Sequence, residues 1–82
     1  MKILTIDWID PTSYDEWIDL DSEFMPTLIH SCGFLVKESG SDYVICLNHD
    51  PENNKISCTM VIPKDCVVNI EEIKPSGLTV VK

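Results

Sequence analysis

Met60-Val61-Ile62-Pro63-Lys64-Asp65-Cys66-Val67-Val68-Asn69-Ile70 is the stretch whose reading decides the fold. An apolar run ends at Ile62-Pro63, three residues interrupt it, and a β-branched pattern resumes at Val67 as a short last strand. Ile62, Cys66 and Ile70 are expected to point into a core. Just upstream, Ile56, Cys58, Met60 and Ile62 alternate with smaller or polar residues, the period-two pattern of a strand.

Working outward, Tyr43-Val44-Ile45-Cys46-Leu47-Asn48 reads as the preceding strand, and the polar run Asp50-Pro51-Glu52-Asn53-Asn54 as the turn between them. Residues 27–38 form a long strand with Gly33 in its middle, which suggests a bulge or sharp bend where the sheet curls. Ser39-Gly40-Ser41-Asp42 turns out of it. Residues 2–8, Lys-Ile-Leu-Thr-Ile-Asp-Trp, make the first strand, and Pro11 punctuates its end. Between the first two strands the pattern changes. Ser13 and Glu16 fit a capping box, and Trp17, Leu20 and Phe24 recur at helical spacing, which partly buries Trp17. Pro26 closes this stretch. After Pro75-Ser76-Gly77, the tail Leu78-Thr79-Val80-Val81 is able to pair as a sixth strand. The expected architecture is one mainly β domain over residues 1–82. It is a small barrel or half-barrel of five strands, or six with the tail, bearing a short helical or irregular acidic excursion near residues 13–25.

Eighty-two residues leave room for one core only. Cys32, Cys46, Cys58 and Cys66 are spaced 14, 12 and 8 apart, with no C-x-x-C pair. The opening Met-Lys-Ile-Leu does not read as a secretory signal, so a reducing compartment and four free, mostly buried thiols are expected. No apolar run approaches the ~18 residues of a membrane span. The six basic residues are all lysine, against fourteen acidic ones and a net charge of −8. Phosphate backbones are gripped by basic side chains, arginine above all, so direct nucleic-acid binding is not expected, nor is an anionic membrane surface.

The stretch from Met60 to Ile70 resembles the end of Src-homology-3-like and Sm-like small barrels, where a strand ends in an apolar-Pro pair, one helical turn follows, and a short strand completes the barrel. Three further features extend over most of the chain: Ile6-Asp7-Trp8-Ile9-Asp10 with Trp17 soon after, Gly33-Phe34-Leu35-Val36-Lys37-Glu38, and Ile62-Pro63-Lys64. With these, the chain resembles a group of short, uncharacterised tailed-bacteriophage proteins. The resemblance implies a small Src-homology-3-like or Sm-like barrel and the cytoplasm of an infected bacterial host. It implies no activity and lends no functional residue.

His30 with Cys32, and Cys46 with His49, offer zinc-type ligands, yet residues 46 and 49 fall on opposite faces of a strand, so no metal site is expected. A Cys–His pair is the only nucleophile-and-base arrangement the residue types allow, and nothing nearby activates a thiol, so neither a catalytic residue nor a cofactor is expected. The densest charge lies between Asp7 and Glu23: seven of the fourteen acidic residues (Asp7, Asp10, Asp15, Glu16, Asp19, Asp21, Glu23) and no basic one. No frame of it supplies the Gly and Glu of an EF-hand loop. It reads either as a solvating face or as a recognition surface for a basic protein partner, with Tyr14, Asp15, Glu16, Trp17 and Asp19 as the contact residues. Two other readings stand beside that one. One is a structural or ring-forming homo-oligomer built through strand edges; the other is a binder of a nucleotide signal between subunits, which the lack of arginine disfavours.

Overall fold

In a computed structural model, residues 1–11 and 16–74 are described. Five strands form one antiparallel sheet: β1 (Ile3–Asp10), β2 (Thr27–Glu38), β3 (Asp42–Asp50), β4 (Lys55–Pro63) and β5 (Val67–Ile73). Their spatial order is β4-β3-β2-β1-β5. A single 3-10 turn, Lys64–Cys66, joins β4 to β5. No other helical element occurs among the described residues.

That connection shapes the whole sheet. In a flat sheet the two outer strands would lie about 19 Å apart, four strand spacings, while three residues reach only about 10 Å. The edges therefore have to approach each other at the end of β4, and the sheet has to curl. Packing agrees. Leu4 and Ile6 of β1, Ile45 of β3 and Ile62 of β4 form one buried cluster, against which Trp8, Leu35, Tyr43, Val67 and Ile70 pack. Ile62 and Ile70 belong to opposite edges and share one core. The curl stops short of closure: β4 and β5 are the outer strands and do not pair, so the mainly β, five-stranded expectation holds as one open antiparallel sheet and a closed barrel does not form.

Gly33 is where β2 gives way to the curl. A Cβ built there would lie 2.7 Å from the Cys46 carbonyl oxygen and 3.3 Å from the Ile45 Cβ, so only glycine lets β3 pass this close. Just beyond, the β2–β3 register slips between Leu35 and Lys37, a bulge that adds local twist. Trp8 packs against the core and donates its indole N–H to Ser31 Oγ at 3.0 Å, which satisfies its polar end. The Ser31 hydroxyl in turn reaches Met60 Sδ at 3.9 Å, a weak contact joining β2 to β4 across the strand between them.

Local chemistry sets the turns. Asp50 caps the β3–β4 turn: its Oδ1 accepts from the backbone N–H of Glu52 (3.1 Å) and Asn53 (3.3 Å), and its Oδ2 from Asn53 Nδ2 (2.8 Å). These donors hold the Asp50 carboxyl below its usual range, with the Asn53 side chain the largest cause. Asn54 then takes φ 51°, a left-handed geometry asparagine tolerates well. In the β2–β3 turn, Ser39 Oγ accepts from the backbone N–H of Asp42 at 3.0 Å. Lys64 fastens the 3-10 turn to the sheet. Its ammonium sits 2.8 Å from Glu38 Oε2, which raises its pKa, and 4.9 Å over the Tyr43 ring.

Two expectations about burial are corrected. Along β4 the alternation of Ile56, Cys58, Met60 and Ile62 promised a covered face, yet only Ile62 is buried and residues 55–61 are all exposed. The reason is the curl, which brings the core to the Ile62 end and lays nothing over the far half of the β3–β4 hairpin. The thiols divide the same way. All four are free, but only Cys46 is buried; Cys66 is half-buried, and Cys32 and Cys58 are exposed. Cys58 has φ 57°, rare for a non-glycine residue, and the ladder skips its pairing with Leu47. The expected sixth strand, residues 78–81, lies outside the described residues.

Candidate functional site

Among the described residues, the two most exposed large apolar side chains, Trp17 and Leu20, lie in the excursion between β1 and β2. From Glu16 to Pro26 the chain forms neither helix nor strand, and its one backbone turn is Ser22 N–H donating to the Asp19 carbonyl at 3.1 Å. The irregular alternative is the one observed over these residues. Ser13, the proposed cap, and the contact residues Tyr14 and Asp15 lie outside the described residues. Helical spacing therefore does not bury Trp17, and this corrects the expectation of partial burial. Trp17 is as exposed as an isolated residue, at 104 %, and Leu20 is 97 % exposed. Ile18, Phe24 and Met25 are exposed as well.

Glu16, Asp19, Asp21 and Glu23 stand exposed among these apolar groups, and no lysine, arginine or histidine interrupts residues 16–26. Large apolar side chains cost free energy when left in water, and five within ten residues make a patch of the kind that marks interaction sites. The carboxylates keep that patch hydrated and supply a negative field. Chemically, this arrangement is able to hold an apolar surface bordered by positive charge. Glu16, Trp17 and Asp19 of the sequence-expected site share this segment. Reading the sequence alone missed Ile18, Leu20 and Met25 as surface groups, because helical periodicity in a sequence usually marks a side that is covered.

Two other clusters bring reactive groups together. Asp7 and His30 face each other across β1 and β2, with Asp7 Oδ1 2.6 Å from His30 Nδ1. Cys32 follows two residues later on the same face of β2, which places an acid, a base and a thiol in one row. No hydrogen bond joins His30 to Cys32, and His30 stands largely in solvent. A nucleophile activated by that base would need such a bond and some shelter from water. The second cluster lines a cleft of about 270 Å³ where β2 and β3 diverge beyond Gly33; Ser31, Cys32, Cys46, Leu47, Cys58 and Met60 border it. Asn48 Nδ2 lies 3.8 Å from Cys58 Sγ there. Among the described residues, no three His, Cys, Asp or Glu side chains stand close enough to hold a metal ion, and no helix is long and apolar enough to cross a membrane.

No protein-family model, curated protein or solved structure matches the chain.

Proposed function

We propose that this chain is a non-catalytic binding module: an open, curled five-stranded sheet of the Src-homology-3-like or Sm-like kind that serves a tailed bacteriophage as an accessory protein in the host cytoplasm. It docks on a basic surface of a host or phage protein through the excursion after β1. The strand order β4-β3-β2-β1-β5, with a 3-10 turn between β4 and β5, supports the barrel type. The observation that carries the binding reading is Trp17, fully exposed among Glu16, Asp19 and Asp21. Tyr14 and Asp15 belong to the site on sequence grounds.

Carboxylates of this density raise the association rate with a basic partner more than they raise affinity. Binding to a partner recovered by pull-down is expected to weaken steeply with salt. Replacing Asp15, Glu16 and Asp19 together by Asn, Gln and Asn removes most of it and leaves the melting temperature unchanged. Normal binding by that triple variant would reduce the segment to a solvating face.

A second reading rests on the open sheet. Among the described residues, β4 and β5 each present an unpaired edge, with Val61 and Val68 exposed on them. Such edges are templates for pairing with another chain. This reading makes the molecule a homo-oligomer joined edge to edge. Light scattering on a size-exclusion column separates the two, a monomer favouring the docking module and a ring or dimer favouring assembly.

A further inference from the structure

We propose that the segment following Glu16 is a recognition helix that forms only on binding, laying Trp17, Leu20 and Phe24 into an apolar groove with a basic rim on a protein partner. This rests on the docking reading above and adds to it the conformation and the shape of the complementary site. Two observations conflict until they are joined. The sequence places apolar side chains at helical spacing, and the folded chain is not helical there and leaves Trp17 and Leu20 fully exposed.

On a wheel of 3.6 residues per turn, Trp17, Ile18, Leu20, Phe24 and Met25 fall within about 160° of arc. Glu16, Asp19 and Glu23 fall together within about 60° on the opposite side, and Asp21 alone intrudes on the apolar face. That is an amphipathic pattern in a segment whose Trp17 and Leu20 are fully exposed. A helix of about ten residues is marginal in water by itself, because nucleation is costly and few bonds follow. Packing of its apolar face against another surface is what stabilises such a helix, so in the free molecule it stays unwound. The Asp19–Ser22 turn is the single reverse turn already in place. Pro26 marks the end, since the residue before a proline disfavours helical geometry.

Charge selects the occupant. Residues 16–25 carry four carboxylates and no cation, so a groove rimmed by lysine or arginine complements them and an acidic rim repels them. Helix-in-groove docking, read from anchors three and four residues apart, is an established mode of peptide recognition. Ordering on binding lowers affinity per unit of contact area and makes the contact readily reversible.

The test uses the full chain and a short synthetic helical peptide with leucine along one face and lysine flanking it, a minimal apolar surface with a basic rim. The protein carries 13C for Cα shifts and 5-fluorotryptophan for Trp17. At saturation with peptide, residues 17–24 are expected to move to helical Cα shifts, and the Trp17 fluorine signal to shift while that of Trp8 stays. Ser22→Pro weakens binding roughly a hundred-fold, the cost of proline inside a helix, and Ser22→Ala tightens it. The same peptide with glutamate in place of lysine does not bind. Binding with coil shifts retained, or full binding by Ser22→Pro, overturns the helix and leaves the acidic docking site standing. Failure to bind the lysine peptide, or unchanged binding by Trp17→Ala together with Glu16→Gln and Asp19→Asn, overturns both. Helical shifts that appear without peptide and grow with protein concentration assign the groove to a second copy of this chain and overturn the basic partner.

Discussion

Ile6 on β1 and Leu20 in the excursion have side chains of equal size and opposite surroundings. Ile6 is 0 % exposed and Leu20 is 97 % exposed. Both sit in sequence patterns that promise burial, Ile6 in a strand alternation and Leu20 in a helical one. The difference lies in what stands opposite. Ile6 faces Ile45 and Ile62 across the curl, and that contact exists because three residues tie the two edges of the sheet together. Leu20 belongs to the stretch of residues 16–26 between β1 and β2, which forms neither helix nor strand. Periodicity thus reports a capacity for burial, and topology decides whether it is used. In this molecule the unused capacity lies in two places, the acidic excursion and the far half of the β3–β4 hairpin.

Substitutions sharpen that contrast. Ile62→Ala opens a cavity in the cluster and is expected to cost about 2–5 kcal/mol, a large share of the 5–15 kcal/mol typical of a folded domain. Leu20→Ala should stay within about 0.5 kcal/mol of wild type. Urea unfolding of the two variants measures both. Equal losses would mean that the excursion is packed on the sheet in solution. Ile70→Ala falls between them, because Ile70 only borders the cluster.

Next in size is Gly33→Ala. Its Cβ would press on the Cys46 carbonyl oxygen, so β3 has to retreat, at a cost of about 1–3 kcal/mol. A neutral result would show that the curl is looser at this point than the 2.7 Å approach requires.

Thiol accessibility is a finer probe of the same division. Cys32 and Cys58 should react with a thiol reagent within the mixing time, Cys66 more slowly, and Cys46 only as the chain opens. Peptide mapping after brief labelling reads the order. Four slow thiols would mean that a second copy or another layer covers the far half of the β3–β4 hairpin.

The smallest expected effect is on pH dependence. The folded-state pKa of Asp50 is lowered, so its hydrogen bonds stabilise the fold above the unfolded value of 3.8 and are lost as the pH falls through the lower folded value. Melting temperature against pH should therefore decline less steeply on the acid side for Asp50→Asn than for wild type. Identical slopes would show that the turn holds without its carboxylate cap.

Strand positions were legible in the sequence because the punctuation is local. The predicted second strand, residues 27–38, is the observed β2 residue for residue, bounded by Pro26 before it and the Ser39-Gly40-Ser41 turn after it. The bend at Gly33 was legible too, since a glycine inside a β-branched run needs a reason. The candidate site was half legible. Its charge and Trp17 were visible in the residues, while the exposure of Leu20, Ile18 and Met25 was not.

By itself, the sequence determined the five strands, the turns between them, the acidic excursion and a single core, because each follows from short-range conformational preference or from composition. Only the tertiary structure decided that the sheet curls without closing, that residues 55–61 of β4 stay uncovered, and that Trp17 and Leu20 face solvent. A strand or helix pattern names the face able to be buried, but the layer that buries it comes from residues far away in the chain, and for these two regions the described residues supply none.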